Sequence, residues 1–463
     1  MIEFEETDER IATGSAEIDA ILGGGFPANS INIIMGQPGS GKTVFAEHLA
    51  FHNADDARPI LYLTTFSEPV AKVLKYLQRF SFYNEAHVGT AVIYDDIGAR
   101  LALEGIEALV GVVSDAIDAC SPKIIIIDSY KALHDISPSI AAMRKMLYEL
   151  TGLLTAYATT VFLVGEYSDH DAKVLPEFAA ADGIIQLLRS EKSTRDERFL
   201  RVIKLRGSAY FEGMHSFRIT RDGLDVFPRL VTPDVPEGYE MDSVRIPSGI
   251  VGFDALMGGG LLRGRTTLLA GPSGAGKTTM ALRFALQALE DGEAALYVNF
   301  QENPTQLATT LRAMGVDPAK AAARGLKLMY ASPVELQIDS LIVTLFRRVR
   351  EEHVRRIVID AVGDLMTAAS DQDRLHDFLY ALVQHFAISG VTSFLNFETT
   401  GGSDGSMGAV GGRFSYMSDN IVLLSMEMGD VMTRTVRVVK SRGTAQDLAT
   451  HRFTIGAEGA TIV

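Results

Sequence analysis

Two glycine-rich stretches of the chain, "GQPGSGKT" at residues 36–43 and "GPSGAGKT" at residues 271–278, have the residue types that bind phosphate. Their glycines let successive backbone N–H groups point at phosphate oxygens, beside the positive end of the following helix. Lys42 and Lys277 would reach the β- and γ-phosphates, and the hydroxyls of Thr43 and Thr278 would hold Mg²⁺. The sequence therefore predicts two sites for ATP with Mg²⁺.

Each stretch follows a predicted strand and opens a predicted helix, as a phosphate-binding loop requires. A chance glycine-rich turn is the alternative interpretation, and it is much weaker for two stretches in register than for one. The residues predicted to contact the nucleotide are Gly36, Pro38, Gly39, Ser40, Gly41, Lys42 and Thr43 in the first stretch, and Gly271, Ser273, Gly274, Ala275, Gly276, Lys277, Thr278 and Thr279 in the second.

Aspartates end two strongly apolar segments, "KIIIID" at Asp128 and "RRIVID" at Asp360. The carboxyl edge of a parallel sheet faces the phosphate loop, so these carboxylates could bind Mg²⁺ through water. A role in capping the next turn is the alternative. Beside a matched phosphate loop the metal role is favoured.

A glutamate follows another predicted strand in each half, Glu68 in "TFSEP" and Glu302 in "NFQENP". They lie 26 and 25 residues after the loop lysines, where a carboxylate could orient or deprotonate an attacking water. A solvated glutamate at a strand end is the alternative.

Pairs of cations one residue apart occur in "KLRG", with Lys204 and Arg206, and in "KSRG", with Lys440 and Arg442. Alternate residues of a strand point to the same face, so each pair forms a fork. We predict that the fork stabilises charge on a transferring phosphoryl group bound to a neighbouring subunit. Exposed cations on an edge strand are the alternative.

These features repeat at a nearly constant spacing, which indicates duplication of a whole domain. The loop lysines are 235 residues apart, the aspartates 232, and the glutamates 234. Residues 227–249 are rich in proline, glycine and acidic residues and lack periodicity, so we place the boundary near Glu237. The predicted domains are 1–236 and 237–463.

Apolar strand-like segments alternate with helical patterns in both halves, including a helix near residues 70–80 and one that ends near Ala119. Such strands, buried on both faces, are typical of a mainly parallel sheet with helices on both sides. Both halves finish in further strand-like segments. The predicted fold class is α/β, with two tandem phosphate-loop domains, each a mainly parallel sheet covered by helices on both faces.

Composition excludes several other classes of protein. The net charge of −15 and pI near 5.2 argue against a broad nucleic-acid surface. A single cysteine, Cys120, excludes an intrachain disulfide and a zinc site built on several thiolates. The acidic N-terminus is not a signal peptide, and the apolar runs are too short to span a bilayer. We expect a soluble cytoplasmic protein without a membrane partner, in which His170 of "EYSDHDAK" lies in a solvated loop.

With these residues assembled, the chain resembles the KaiC family of duplicated RecA-like ATPases, known from circadian clocks. The resemblance rests on both phosphate loops, "GFDALMGGGL", "IIIIDS", "IKLRG" and "VVKSRG", and covers nearly the whole chain. It implies a hexamer of two stacked rings with ATP between subunits, a slow ATPase in the first ring, and a second ring that can phosphorylate hydroxyls across its interface. It also implies that Glu68 and Asp128 act in cis while Lys204 and Arg206 reach the neighbour's ATP.

The second half alone offers hydroxyls at the place that the family phosphorylates. Aligning Asp182 with Asp419 sets Phe178 against Ser415 and Ala179 against Tyr416. Ser415 matches the family's modified serine, and Tyr416 stands where a threonine is usual. Ordinary polar residues on a surface turn are the alternative.

Two features depart from the clock proteins. Ser67-Glu68 and Gln301-Glu302 stand where the family has Glu-Glu, and glutamine cannot accept a proton at neutral pH. The sequence also ends at Val463 without the tail through which a clock regulator acts, so we do not expect a plain timekeeping role.

Three hypotheses remain open from the sequence. The first is an ATP-driven switch that signals to a KaiB-like or downstream protein, with self-phosphorylation in the second ring. The second is a recombinase- or helicase-type motor, for which the glycine-rich stretch 399–414 would face DNA. The third is a scaffold that binds ATP without turnover.

Overall fold

The computed structural model describes residues 9–66, 69–190, 196–240, 242–334, 336–368, 372–399, 416–429, 431–456 and 459–463. For residues 367, 368, 372 and 373 it describes the backbone alone. The chain divides into two compact units, Met1–Arg229 and Leu230–Val463. Leu230 packs against the core of the second unit, and the carbonyl of Val231 lies 2.9 Å from His385 Nε2. The division therefore falls before the boundary predicted near Glu237, because the start of the linker is anchored on the second unit.

A nine-stranded sheet forms the centre of the first unit. Its phosphate-loop strand, Ile31–Gly36, lies among parallel neighbours, and an antiparallel extension continues the sheet on one side. From the antiparallel edge to the parallel edge, the strands are Gly223–Phe227, His215–Thr220, Glu197–Leu205, Gly183–Ser190, Ile31–Gly36, Thr160–Gly165, Ile124–Asp128, Ile60–Thr64 and Val92–Asp96.

The second unit repeats this order strand for strand, which confirms the predicted fold class of two tandem RecA-like α/β domains. From the antiparallel edge, its strands are Gly459–Ile462, Thr450–Gly456, Thr433–Ser441, Asn420–Glu427, Thr266–Gly271, Thr392–Glu398, Val354–Asp360, Ala294–Asn299 and Leu326–Tyr330. Each unit also has a two-stranded ribbon ahead of its phosphate loop, formed by Arg10–Ile11 with Phe26–Pro27 and by Arg245–Ile246 with Leu261–Leu262.

Helices cover both faces of each sheet. In the first unit they are Ala16–Ile21, Lys42–His52, Val70–Leu77, Gly98–Glu104, Ala108–Cys120, Leu133–Ile136, Ile140–Ala156, Asp171–Val174 and Pro176–Ala180, with 3₁₀ turns at Glu85–His87 and Tyr130–Ala132. In the second they are Phe253–Leu256, Lys277–Glu290, Pro304–Ala313, Pro318–Ala323, Ile338–Glu351, Val362–Ala368 and Gln372–Ile388. No helix in the described ranges is long and apolar enough to cross a bilayer.

One predicted helix is in fact two. The pattern that ends near Ala119 splits into Gly98–Glu104 and Ala108–Cys120, because Gly105 adopts a φ of 84°, which helical residues do not have. His170 is exposed and lies in the turn before the short helix Asp171–Val174, which agrees with the predicted solvated loop.

The strand that ends at Asp128 shows why its sequence is apolar throughout. Ile124 and Ile126 pack into the core on one face of the sheet, whereas Ile125 and Ile127 pack into the core on the other. All four side chains are fully buried. A strand covered on both faces needs apolar residues at every position, and the first polar residue then appears at the open carboxyl edge.

Candidate nucleotide sites

The first phosphate loop joins the strand Ile31–Gly36 to the helix Lys42–His52. Gly41 has a φ of 102°, and a Cβ there would lie 3.0 Å from the Ile219 side chain. Glycine is therefore required both by the backbone and by the apolar cover on the loop. Gly36 is equally constrained, since a Cβ would lie 2.3 Å from the Leu187 carbonyl oxygen. Pro38, Gly39 and Ser40 form the turn between strand and helix, as predicted.

The side chain of Lys42 contacts this loop. Its Nζ donates a hydrogen bond of 2.9 Å to the Gln37 carbonyl and lies 3.8 Å from a carboxylate oxygen of Glu166. Burial lowers the pKa of Lys42, while Glu166 and Asp128 act in the opposite direction. A mostly desolvated ammonium group is thus positioned where the loop would hold phosphate.

Asp128 lies at the centre of a hydrogen-bonded triangle in the first unit. Thr43 Oγ1 donates to Asp128 Oδ2 at 2.9 Å, and Tyr62 OH donates to the same oxygen at 3.0 Å. Burial raises the pKa of Asp128, and these two hydrogen bonds oppose that rise. A threonine hydroxyl and a carboxylate are the hard oxygen ligands that Mg²⁺ takes beside phosphate, so these residues fit the ion.

A cavity of about 820 Å³ opens in front of this triangle. Its polar lining includes Lys42, Thr43, Asp128 and Glu166. Its apolar and aromatic lining includes Val73, Tyr76, Leu77, Phe80 and Ile219. A lining of both kinds suits a ligand that has a charged phosphate chain and a planar base.

The second phosphate loop repeats the geometry of the first. Gly276 has a φ of 102°, and Lys277 Nζ donates at 2.8 Å to the carbonyls of Gly271 and Pro272. Ser273, Gly274 and Ala275 form the turn, and Thr279 lies in the helix Lys277–Glu290. Burial lowers the pKa of Lys277, as it does for Lys42.

Asp360 completes a matching triangle in the second unit. Thr278 Oγ1 donates to Asp360 Oδ2 at 2.8 Å, and Tyr297 OH donates to the same oxygen at 2.6 Å. The sequence analysis missed both tyrosines. A search for further residues at the shift of 235 would have found Tyr62 and Tyr297, because they lie 235 residues apart on strands that have the same place in their units.

The structure describes only one of the two candidate glutamates. Glu68 lies outside the described residues. Glu302 follows the strand Ala294–Asn299, and its backbone N–H donates to Asn299 Oδ1 at 2.9 Å. Its Oε2 is buried, and no hydrogen bond to it is found within the described part of the chain. Burial, and then the charge of Asp360, raise the pKa of Glu302, which moves its carboxylate toward the basicity of a proton acceptor.

The cation forks lie far from the phosphate loop of their own unit. Lys204 pairs with Ile184 and Leu205 with Gly183, which in turn pairs with Asn32 near the start of the phosphate-loop strand. The loop follows Gly36, at the opposite end of that strand. The fork therefore lies at the edge of the sheet where the phosphate-loop strand begins, opposite the edge at which the loop lies.

Both forks contact the turn before the neighbouring strand. Lys204 Nζ donates to the Ala181 carbonyl at 2.5 Å, and Arg206 Nη1 bonds to Asp182 Oδ1 at 3.2 Å. In the second unit, Lys440 Nζ donates to the Ser418 carbonyl at 2.7 Å, and Arg442 Nη2 donates to the Tyr416 carbonyl at 3.4 Å. Each strand has a register shift beside its lysine, so the arrangement is repeated in detail.

The aligned residues Asp182 and Asp419 make the same hydrogen bond in their two units. Each aspartate accepts a hydrogen bond of 3.1 Å from the backbone N–H at the start of its phosphate-loop strand. Phe178 is buried edge-to-face against Tyr167. Tyr416 contacts the rings of His376 and Tyr380 on the helix Gln372–Ile388. Ser415 and the rest of 400–415 lie outside the described residues.

Comparison with known proteins agrees with this geometry. The family model described as "ATPase: KaiC" matches residues 11–231 and again 246–463. The circadian clock oscillator protein KaiC of Picosynechococcus sp. is 24% identical over 471 residues, which cover 98% of this chain and 89% of that protein. The corresponding protein of Parathermosynechococcus lividus is 25% identical over 464 residues, covering 97% and 84%. Two phosphate-loop units that both match the family model show that the chain belongs to the KaiC ATPase family.

Proposed function

We propose that the chain binds ATP with Mg²⁺ at both phosphate loops, hydrolyses it, and uses the turnover as a conformational signalling switch. The observation that carries this proposal is the repeated triangle beside each loop. In both units a partly buried aspartate accepts hydrogen bonds from the loop threonine and from a strand tyrosine, and a desolvated lysine lies nearby. Family membership in the KaiC ATPases supports the same conclusion.

The residues divide the chemistry between them. Lys42 and Lys277 neutralise the β- and γ-phosphates, while the threonine and aspartate of each triangle hold Mg²⁺. When bound, that ion screens the charge on the phosphate oxygens. Glu302 has the raised pKa expected of a base that takes a proton from water, and Glu68 has the corresponding position in the first unit.

Neighbouring subunits complete the sites in this proposal. A fork that lies at the opposite edge of the sheet from its own phosphate loop cannot serve that loop, so Arg206 and Arg442 are positioned for an ATP held by another copy. The family resemblance leads us to propose a hexamer with nucleotide at subunit interfaces. Arg206 is 58% exposed along its side chain, which leaves it accessible to a partner.

The second unit also has the residues for phosphate transfer to itself. Ser415 is the proposed acceptor, and the buried Phe178 at the matching place leaves the first unit without a hydroxyl there. A phosphate would add nearly two negative charges close to Asp419. We propose that a KaiB-like or downstream signalling protein reads this change.

Two measurements test the proposal. Light scattering should show assembly that depends on Mg-ATP, and a monomer that ignores nucleotide would contradict the interface sites. Mass spectrometry after incubation with Mg-ATP should show ADP release together with phosphate on Ser415, and Ser415→Ala should lose that label. Hydrolysis without any label would keep the ATPase and end the kinase proposal.

A further inference from the structure

The second site contains a polar pair that the family pattern does not account for. Gln301 stands where the clock proteins have the first of two glutamates, and its Nε2 lies 3.1 and 3.0 Å from the two carboxylate oxygens of Asp364. Asp364 belongs to the helix Val362–Ala368, which follows Asp360. An acid from another element therefore lies beside the position where the first glutamate is missing.

The chemistry of the pair determines how the amide is oriented. A carboxylate only accepts hydrogen bonds, so the atom of Gln301 that contacts Asp364 must be the donor Nε2. The amide oxygen Oε1 is then left to accept a hydrogen bond from elsewhere. Gln301 is exposed, so water can reach this oxygen.

The backbone around Gln301 is also fixed. Asn299 is 4% exposed, and its Oδ1 accepts hydrogen bonds from the N–H groups of Gln301 at 2.8 Å and Glu302 at 2.9 Å. Asn299 is directly opposite Asp360 in the sheet. This turn holds the amide of Gln301 and the carboxylate of Glu302 beside the proposed magnesium residue.

We propose that Asp364 is a positioning residue of the second site, which holds Gln301 so that its amide oxygen orients the water that attacks ATP. The water oxygen forms a bond to the γ-phosphorus, the bond to the β,γ-bridging oxygen breaks, and the proton passes to Glu302. A glutamine that orients water is sufficient for hydrolysis in other phosphate-loop enzymes. The inference rests on the proposed hydrolysis at this site.

The first unit has no such pair. Ala132 occupies the position equivalent to Asp364, four residues after the strand-end aspartate, and Ser67 occupies that of Gln301. The pair of Gln301 and Asp364 is therefore specific to the second site. A variant of Asp364 should leave the turnover of the first site unchanged.

The test uses the full chain in a Glu68→Gln background, so that phosphate release reports the second site. Asp364→Ala should lower kcat roughly tenfold to a hundredfold while KM for ATP stays unchanged, because misplacing a reacting group costs rate more than binding. Asp364→Asn retains an oxygen that accepts from Gln301 and should keep most of the rate. Asp377→Ala, which removes an exposed acid of the next helix, is the matched control.

A double variant distinguishes positioning from loss of fold. Gln301→Glu with Asp364→Ala restores the family's carboxylate pair without its new neighbour, and it should recover the rate lost in Asp364→Ala. An unchanged kcat in Asp364→Ala, or no recovery in the double variant, would overturn this inference and leave the proposed second-site hydrolysis intact. No phosphate release at all in the Glu68→Gln background would overturn the proposed second-site hydrolysis together with it.

Discussion

The two units hold the same nucleotide residues in different surroundings. In the first unit, the fully buried Glu47 accepts a hydrogen bond of 2.6 Å from Tyr94, which pairs with Tyr62 on the neighbouring strand. In the second unit, Leu282 and Leu328 occupy the equivalent positions. The first site therefore has a titratable group in its core where the second has only hydrocarbon.

At another buried position the second unit has a charged side chain and the first has an apolar one. Arg356 is 1% exposed and contacts Asp291 and Glu293, and it also donates to the Pro247 carbonyl at 2.8 Å. Ile124 has this place in the first unit. The duplicated domains thus share the residues proposed to hold phosphate and Mg²⁺, while the layer behind them has diverged. Equal phosphate loops do not imply equal stability or equal pH response.

Replacing the buried arginine should give the largest effect. Arg356→Met leaves Asp291 without its cation, whereas Glu293 keeps Arg263 at 2.9 Å. Removing one partner of a buried ion pair costs about 3–5 kcal/mol, which is the upper limit here because both carboxylates are partly exposed. Hydrogen exchange should speed up in peptides of the second unit and stay unchanged in the first. Ile124→Met is the matched control, because a swap that keeps volume costs less than about 1.5 kcal/mol. Equal effects of the two variants would contradict the contrast.

Loss of a catalytic carboxylate should come next. Glu302→Gln keeps the size of the side chain but removes the base, so we expect roughly a 10²-fold loss of second-site phosphate release. Glu68→Gln should do the same for the first site. Each variant alone should leave the turnover of the other site, and the two together should nearly abolish it. Loss of all release in Glu302→Gln, with release retained in Glu68→Gln, would show that the sites are not independent.

Glu47 should give the smallest effect per pH unit, confined to one unit of the chain. Burial raises the pKa of Glu47 to about 8, with the Tyr94 hydrogen bond opposing the rise. Between the ordinary pKa of 4.5 and about 8, the folded state keeps a proton that the unfolded state has lost. The first unit should therefore lose stability as pH rises through this window, by at most about 1.4 kcal/mol per pH unit.

Glu47→Gln should remove this dependence while keeping an acceptor for Tyr94. The measurement is hydrogen exchange in the helix Lys42–His52, corrected for the intrinsic rate at each pH. The helix Lys277–Glu290, with Leu282 in the same place, is the internal control. If Glu47→Gln left the pH dependence of the first helix unchanged, Glu47 would not be its source.

The local parts of the candidate sites could be predicted from the residues along the chain. A phosphate loop needs its glycines, lysine and threonine in one short stretch, and a buried strand that meets solvent at its carboxyl end marks Asp128 and Asp360. Duplication was equally visible, because one shift relates all of these features. The fold class followed from the alternation of apolar strands with helices, since that pattern is also local.

Which distant residues meet at the candidate sites depends on the order and register of the strands. Tyr62 reaches Asp128 because their strands are neighbours in the sheet, and Gln301 meets Asp364 because two strand ends lie side by side. Glu47 is buried because its helix packs across the sheet, against strands as far apart in order as Gly223–Phe227 and Thr160–Gly165. Strand order and register set these contacts, and no spacing along the chain specifies them, because a contact across a sheet joins residues of any separation.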